Sequence, residues 1–207
     1  WTDVLYAWQL NANEILINPT DPNIVLAATN KGVFRTINGG SSWDQLYTQR
    51  AFDLKHNTDN SNIVYLLKHD DVLDLCLFLR STDAGANFTV QSSGWYSSTD
   101  PDRNDGGGRL AVSEADADYV YAYLIGEAKA DDNGYIGVWK STDGGLNWTL
   151  PNGPAGGPYD EDHMNLAIGT VNWQYHQGFY NCAIMASNTD PEQIRVGGLN
   201  LYGSDDG

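Results

Sequence analysis

Short apolar runs recur along this chain, and similar polar turns separate them. Ile15-Leu16-Ile17 leads through Pro19-Thr-Asp-Pro22 into Ile24-Val25-Leu26-Ala27. Phe52-Asp53-Leu54 leads through Asn57-Thr-Asp59 into Ile63-Val64-Tyr65-Leu66. Leu110-Ala111-Val112 leads through Glu114-Ala-Asp-Ala-Asp118 into Tyr119-Val120-Tyr121-Ala122. Ala183-Ile184-Met185 leads through Asn188-Thr-Asp-Pro191 into Ile194-Arg195-Val196. Runs this short, bounded by Asp, Asn and Pro, predict strands joined by tight turns.

A second pattern follows each of these units. Val33-Phe34, Phe78-Leu79, Val138-Trp139 and Leu201-Tyr202 are third strands, each closed by the same box. The box reads Ser/Thr, any residue, Asp/Asn, Gly/Ala, Gly, two variable residues, then Trp/Phe. Its copies are Thr36-Ile-Asn38-Gly-Gly40-Ser-Ser-Trp43, Ser81-Thr-Asp83-Ala-Gly85-Ala-Asn-Phe88 and Ser141-Thr-Asp143-Gly-Gly145-Leu-Asn-Trp148. Ser204-Asp-Asp206-Gly207 is the start of a fourth. Each part of the box has a folding role. The fifth-position glycine takes positive φ without a Cβ clash. The Ser/Thr hydroxyl and the Asp/Asn side chain bond the turn's own N–H groups. The closing ring returns a large apolar surface to the sheet. The box aspartates are therefore expected to be structural.

The boxes begin at residues 36, 81, 141 and 204, so they are spaced 45, 60 and 63 residues apart. The repeat unit is strand, Asp-rich turn, strand, strand, box, final strand. That period and content predict an all-β chain of four-stranded antiparallel propeller blades. The blades fall at about 13–48, 49–93, 106–150 and 180–207, with the last cut short and insertions at 94–108 and 151–179. So few blades do not close a ring, and the expectation is an incomplete propeller whose remaining blades belong to a longer protein.

The three complete boxes resemble the Asp-box, or bacterial neuraminidase, repeat family. That family includes sialidases, xyloglucanase-type glycosidases, sortilin-like receptors and secreted bacterial propellers. Gln177-Gly-Phe-Tyr-Asn181, Asp190-Pro191 and Val196 to Gly207 are similar to a blade of large secreted Bacteroidetes proteins, which often use type IX secretion. The resemblance implies a secreted or cell-surface location.

The formal net charge is −16. It opposes nucleic acid or an anionic membrane as partner. No apolar run reaches the ~18 residues of a membrane span. Cys76 and Cys182 fall in different blades, so two buried free thiols are expected.

Candidate chemistry lies where the repeat is broken. Asp100, Asp102 and Asn104 alternate like the start of a calcium loop; a solvated acidic turn is the other reading. Glu127, Asp131, Asp132 and Asn133 form a second acidic stretch. The third insertion supplies Trp173, Tyr175, His176, Asp160 and Asp162. Rings that stack on sugar faces and carboxylates that accept hydroxyl bonds make a carbohydrate surface; the same rings could instead pack the loop down. No cofactor is required, and calcium is the one ion suggested.

An enzyme of this kind would be a glycosidase. The sialidase Arg clamp is not recognisable, because Arg35 and Arg80 occupy repeat positions just before boxes. Xyloglucanase-type members use an acid and a base that flank the scissile bond. Asp53, on the first strand of the second unit, is the candidate carboxylate, without a nameable partner. The competing expectation is a non-catalytic module for glycan or protein binding, adhesion or assembly. A glycoside hydrolase and a sortilin-like receptor are the alternatives.

Overall fold

A computed structural model describes residues 10–97, 105–126, 135–151, 181–198 and 200–207. All regular structure among them is β. The first sheet is β1 (Ala12–Ile17), β2 (Val25–Thr29), β3 (Gly32–Thr36) and β4 (Asp44–Tyr47). The second is β5 (Ala51–His56), β6 (Val64–Asp70), β7 (Leu75–Ser81) and β8 (Thr89–Val90). The third is β9 (Asp105–Val112), β10 (Val120–Gly126) and β11 (Tyr135–Ser141); the fourth is β12 (Ala183–Ala186), β13 (Ile194–Gly197) and β14 (Leu201–Ser204). Within each sheet, strands pair antiparallel in chain order. The third sheet differs from the expected four strands. Its fourth position is a single bridge between Lys140 and Thr149.

The sheets pack face to face in sequence. Inner strand β1 lies against β5, β5 against β9, and β9 against β12. Strand alternation sends one set of side chains to each neighbour, so each sheet pair has its own core. Leu26, Ala28, Val33, Leu54, Leu66 and Leu79 fill the first interface. The second is aromatic, with Phe52, Tyr65, Phe78, Trp95, Trp139 and Trp148. Tyr121, Tyr123, Ile125, Ile194 and Val196 fill the third. Cys76 and Cys182 are buried free thiols.

The box turns take the conformation that their glycines allow. Gly40, Gly85 and Gly145 have φ of +91°, +75° and +83°. Thr36, Ser81 and Ser141 each accept the N–H of that glycine, at 3.1, 3.0 and 2.9 Å. Asp83 Oδ1 and Asp143 Oδ1 accept the N–H of Asn87 and Asn147, both at 2.9 Å. Asn38 does the same for Ser42 at 2.9 Å without a charge. Ser204 donates to Asp206 at 2.7 Å in the fourth copy.

The closing rings differ from one another, and here the expectation of uniform burial is corrected. Trp148 is 3% exposed, whereas Trp43 and Phe88 are half-buried. The reason is what lies behind each box. A Cβ at Gly145 would meet the Phe78 ring at 2.7 Å, and one at Gly85 would meet Leu26 at 2.8 Å. Each box thus rests on the preceding sheet. No described sheet lies behind the first box, and Trp43 has no ring partner among the described residues. Phe88 packs against the first interface, with Tyr47 at 6.3 Å as its ring partner among the described residues.

Candidate functional site

Hydrogen bonds between blades separate two faces. On one face the turns between first and second strands are stitched together. Asn18 Nδ2 donates to Ser61 O, Asn57 Nδ2 to Ala117 O, and Ser113 Oγ to Ser187 O, at 3.4, 2.9 and 2.8 Å. The boxes join the same face: Gly39, Ala84 and Gly144 donate their N–H to Asn23, Asn62 and Asp118 carbonyls. The residue before each box then reaches to the next box. Arg35 Nε donates to Ala84 O at 3.2 Å, Arg80 Nε to Gly144 O at 3.0 Å, and Lys140 Nζ to Asp206 O at 3.1 Å. Lys140 also pairs with Glu192. This face is committed to holding blades together.

The opposite face collects what the repeat does not use. The described ends that flank residues 98–104, 127–134 and 152–180 open toward it, because β8 to β9, β10 to β11 and the connection into β12 all turn there. The β6–β7 turn lies there as well. Asp70 Oδ1 accepts the N–H groups of Val72 and Leu73, each at 3.0 Å, and the turn presents Val72 at 91% exposure. His69 Nε2 lies 3.3 Å from Asp74.

Three sets of sequence-predicted residues belong to segments outside the described residues: Asp100, Asp102 and Asn104; Glu127 with Asp131, Asp132 and Asn133; and Asp160, Asp162, Trp173, Tyr175 and His176. Among the described residues no three His, Cys, Asp or Glu side chains gather as a metal site would require.

Asp53 can be placed in full, on inner strand β5 at 1% exposure. Its Oδ1 accepts Leu54 N–H at 2.8 Å and Lys55 Nζ at 2.9 Å. Its Oδ2 accepts the N–H of Leu110 on β9 at 2.7 Å. Lys55 also pairs with Glu14 of β1 at 3.3 Å. One carboxylate thereby ties the inner strands of two blades, and its lysine ties a third. A general acid or base needs its oxygens free to reach the substrate; those of Asp53 are occupied. Arg109 of β9 donates from Nη1 to Phe52 O at 3.0 Å, and the sequence did not reveal Lys55, Glu14 or Arg109 as parts of this inner ring. Leu110 stands 57 residues from Asp53, and no local spacing marks such a link.

A cavity of 380 Å³ opens between the third and fourth sheets, lined by Glu114, Met185, Asn188, Gln193 and Arg195 among others. Arg195 is held by Ile194 O, Ser204 O and Asp205.

No family model and no curated protein matches this chain. Solved structures do. An ancestral GH74 enzyme superposes with TM-score 0.57 at 18% identity, over 95% of this chain and 26% of its own. The GH74 xyloglucanase from Xanthomonas campestris gives 0.59 at 13% identity, over 93% and 27%. YCF48 from Cyanidioschyzon merolae gives 0.51 at 15% identity, over 95% and 55%. The chain spans about a quarter of the length of the two GH74 proteins it matches. At these identities the likeness is one of fold. The chain is an all-β, incomplete β-propeller.

Proposed function

We propose that this chain is part of a secreted or cell-surface propeller that binds a glycan or protein on its insertion-bearing face and catalyses no reaction. The state of Asp53 carries this reading. Asp53, the candidate catalytic carboxylate, is buried and spent on backbone N–H groups and Lys55. The Asp-box resemblance assigns the remaining repeated aspartates to turns, and Asp83 and Asp143 bond there. Trp173, Tyr175 and His176, with Asp160 and Asp162, are the proposed ligand contacts. Calcium held by Asp100, Asp102 and Asn104 would order the neighbouring insertion. The other blades of the ring, in the same longer protein, are the proposed structural partner.

The fold likeness to a xyloglucanase favours a second reading, glycoside hydrolysis. A glycan array and a reducing-sugar assay on xyloglucan separate the two. Binding without sugar release is expected, and replacing both Trp173 and Tyr175 with Ala should abolish binding with the fold intact. Release of sugars by the intact protein refutes the non-catalytic reading.

A further inference from the structure

One cross-strand row recurs at the same register in every sheet, and the fourth copy departs from the others. In the first sheet it is Leu16, Leu26 and Arg35. In the second it is Lys55, Tyr65 and Arg80, and in the third Ala111, Tyr121 and Lys140. The second strand supplies a large side chain, fully buried in Leu26, Tyr65 and Tyr121. The third strand supplies a cation. In the fourth sheet the row is Met185, Arg195 and Gly203. The cation has moved to the second strand, and glycine stands in its former place.

The first three rows divide two tasks. The second-strand residue is the seat of the next box: a Cβ at Gly85 would meet Leu26 at 2.8 Å, and one at Gly145 would meet Tyr65 at 3.5 Å. The third-strand cation is the latch. Arg35 and Arg80 give Nε to the carbonyl at the fourth box position, Ala84 O and Gly144 O. Lys140 reaches Asp206 O, one position earlier. Arg195 stands at the seat, and its guanidinium lies over Gly203, where a Cβ would meet it at 2.9 Å. Its Nη1 and Nη2 are used within its own blade, on Ile194 O, Ser204 O and Asp205. Its Nε, the atom that Arg35 and Arg80 use as latch, has no acceptor among the described residues.

The face around this row is open. Met185 is 61% and Leu201 76% exposed. Val33 and Phe78, which hold the place of Leu201 in the first two sheets, are fully buried. The 380 Å³ cavity adjoins the row, lined by Met185, Ser187, Gln193 and Arg195 among others. Ser113 opens the third blade's turn and donates to the next turn at Ser187 O. Ser187 opens the fourth, and its own bonds stay within that turn. A second copy of the chain would have to offer the outer face of its first sheet. That face is already covered at its centre, since Ala27 and Phe34 are 4% and 1% exposed.

We propose that the open face of the fourth sheet docks one further blade of the same repeat, the one that follows in the longer protein. Arg195 then performs both tasks: the next box rests on its guanidinium, and Nε donates to the carbonyl at the fourth box position. The inference deepens the reading of further blades as structural partner and rests on it. Burial of Met185 and Leu201 supplies the apolar part of the contact, and the backbone carbonyl gives Arg195 a neutral acceptor.

The test is oxidation of Met185 by hydrogen peroxide in the full-length protein, followed by peptide mass spectrometry. A docked blade should slow the reaction about tenfold relative to the urea-unfolded protein, because a methionine thioether oxidises as its exposure allows. Arg195→Leu copies the Leu26 seat and removes the donor; it should speed oxidation about threefold by loosening the contact. Adding Gly203→Arg to that variant rebuilds the arrangement of the first blade, and the slow rate should return. Gly203 does not have positive φ, so its backbone accepts a side chain. A rate that Arg195→Leu leaves unchanged, or that the double variant fails to restore, overturns the role of Arg195 and leaves the longer-propeller reading standing. Protection that vanishes on about hundredfold dilution means that a second copy covers the face. Fast oxidation at every concentration means that nothing covers it. Either of these last two results overturns the proposal together with the reading it rests on.

Discussion

Trp148 and Trp43 hold the same place in the repeat, and the structure says they should not be worth the same. Trp148 is 3% exposed. Its ring stands edge-on to Phe78 at 4.6 Å and to Trp95 at 4.8 Å, and its Nε1 donates to Gly145 O at 3.2 Å. Truncation to Ala removes a fully buried aromatic, which costs about 3–5 kcal/mol. Two ring pairs at ~0.5–1.5 kcal/mol each account for a good part of that. Trp43 is half-buried and lacks such partners, so Trp43→Ala should cost about 1 kcal/mol, near half the transfer value of a buried side chain. Urea unfolding followed by far-UV circular dichroism reads both without depending on the lost fluorophore. Trp148→Ala should lower the midpoint sharply at unchanged slope. Equal losses from the two variants would refute the argument, because box position rather than the surface behind the box would then set the energy.

Two further outcomes follow from titratable groups. Burial raises the Asp83 carboxyl, but hydrogen bonds from the side chain and backbone of Asn87 and from Ser81 outweigh it and bring its pKa to about 2. The unfolded value is about 3.9, so the stabilisation is present above that pH and is lost as pH falls through about 2. Asp83→Asn, which copies the neutral Asn38 of the first box, should therefore flatten the acid limb of the stability curve; an identical acid limb in the variant contradicts this. The Cys182 thiol is pushed up to about 12, chiefly by burial, and Cys76 is fully buried. Ellman's reagent should react slowly with native protein and find two thiols after denaturation without reductant, while none after denaturation would reveal a disulfide.

The fold was legible because each blade repeats its instructions locally. A hydroxyl, an Asp or Asn and a glycine within five residues suffice to build a box turn, and all three appear in sequence order. The Asp-rich turns were read less accurately. Their main acceptor is the residue that opens the turn: Asn18, Asn57 and Ser187 accept the N–H groups two and three residues on, and Ser113 the one two residues on. The aspartates that drew attention come later in the turn: Asp21 Oδ1 serves Asn23, and Asp190 Oδ1 serves Glu192. Burial of the box rings was legible only in part: Trp148 is buried as expected, while Trp43 and Phe88 are half-buried. It depends on the preceding sheet, and nothing within the box reports which sheet that is.

The candidate site was less legible for a related reason. Polar residues of a propeller serve two masters, the turn and the next blade, and sequence shows only the first. Arg35 and Arg80 look alike in sequence and act alike, each reaching the following box. Gly203 holds their position in the fourth blade, and there Arg195 fills the space: a Cβ at Gly203 would meet its guanidinium at 2.9 Å. Arg195 is thus accounted for by the repeat once its partner strand is known. Arg109 holds on β9 the register position that Glu14 holds on β1 and Asp53 on β5, and its Nη1 donates to Phe52 O of the preceding blade. Telling which polar groups the blades consume requires the hydrogen bonds between blades, which no linear pattern contains.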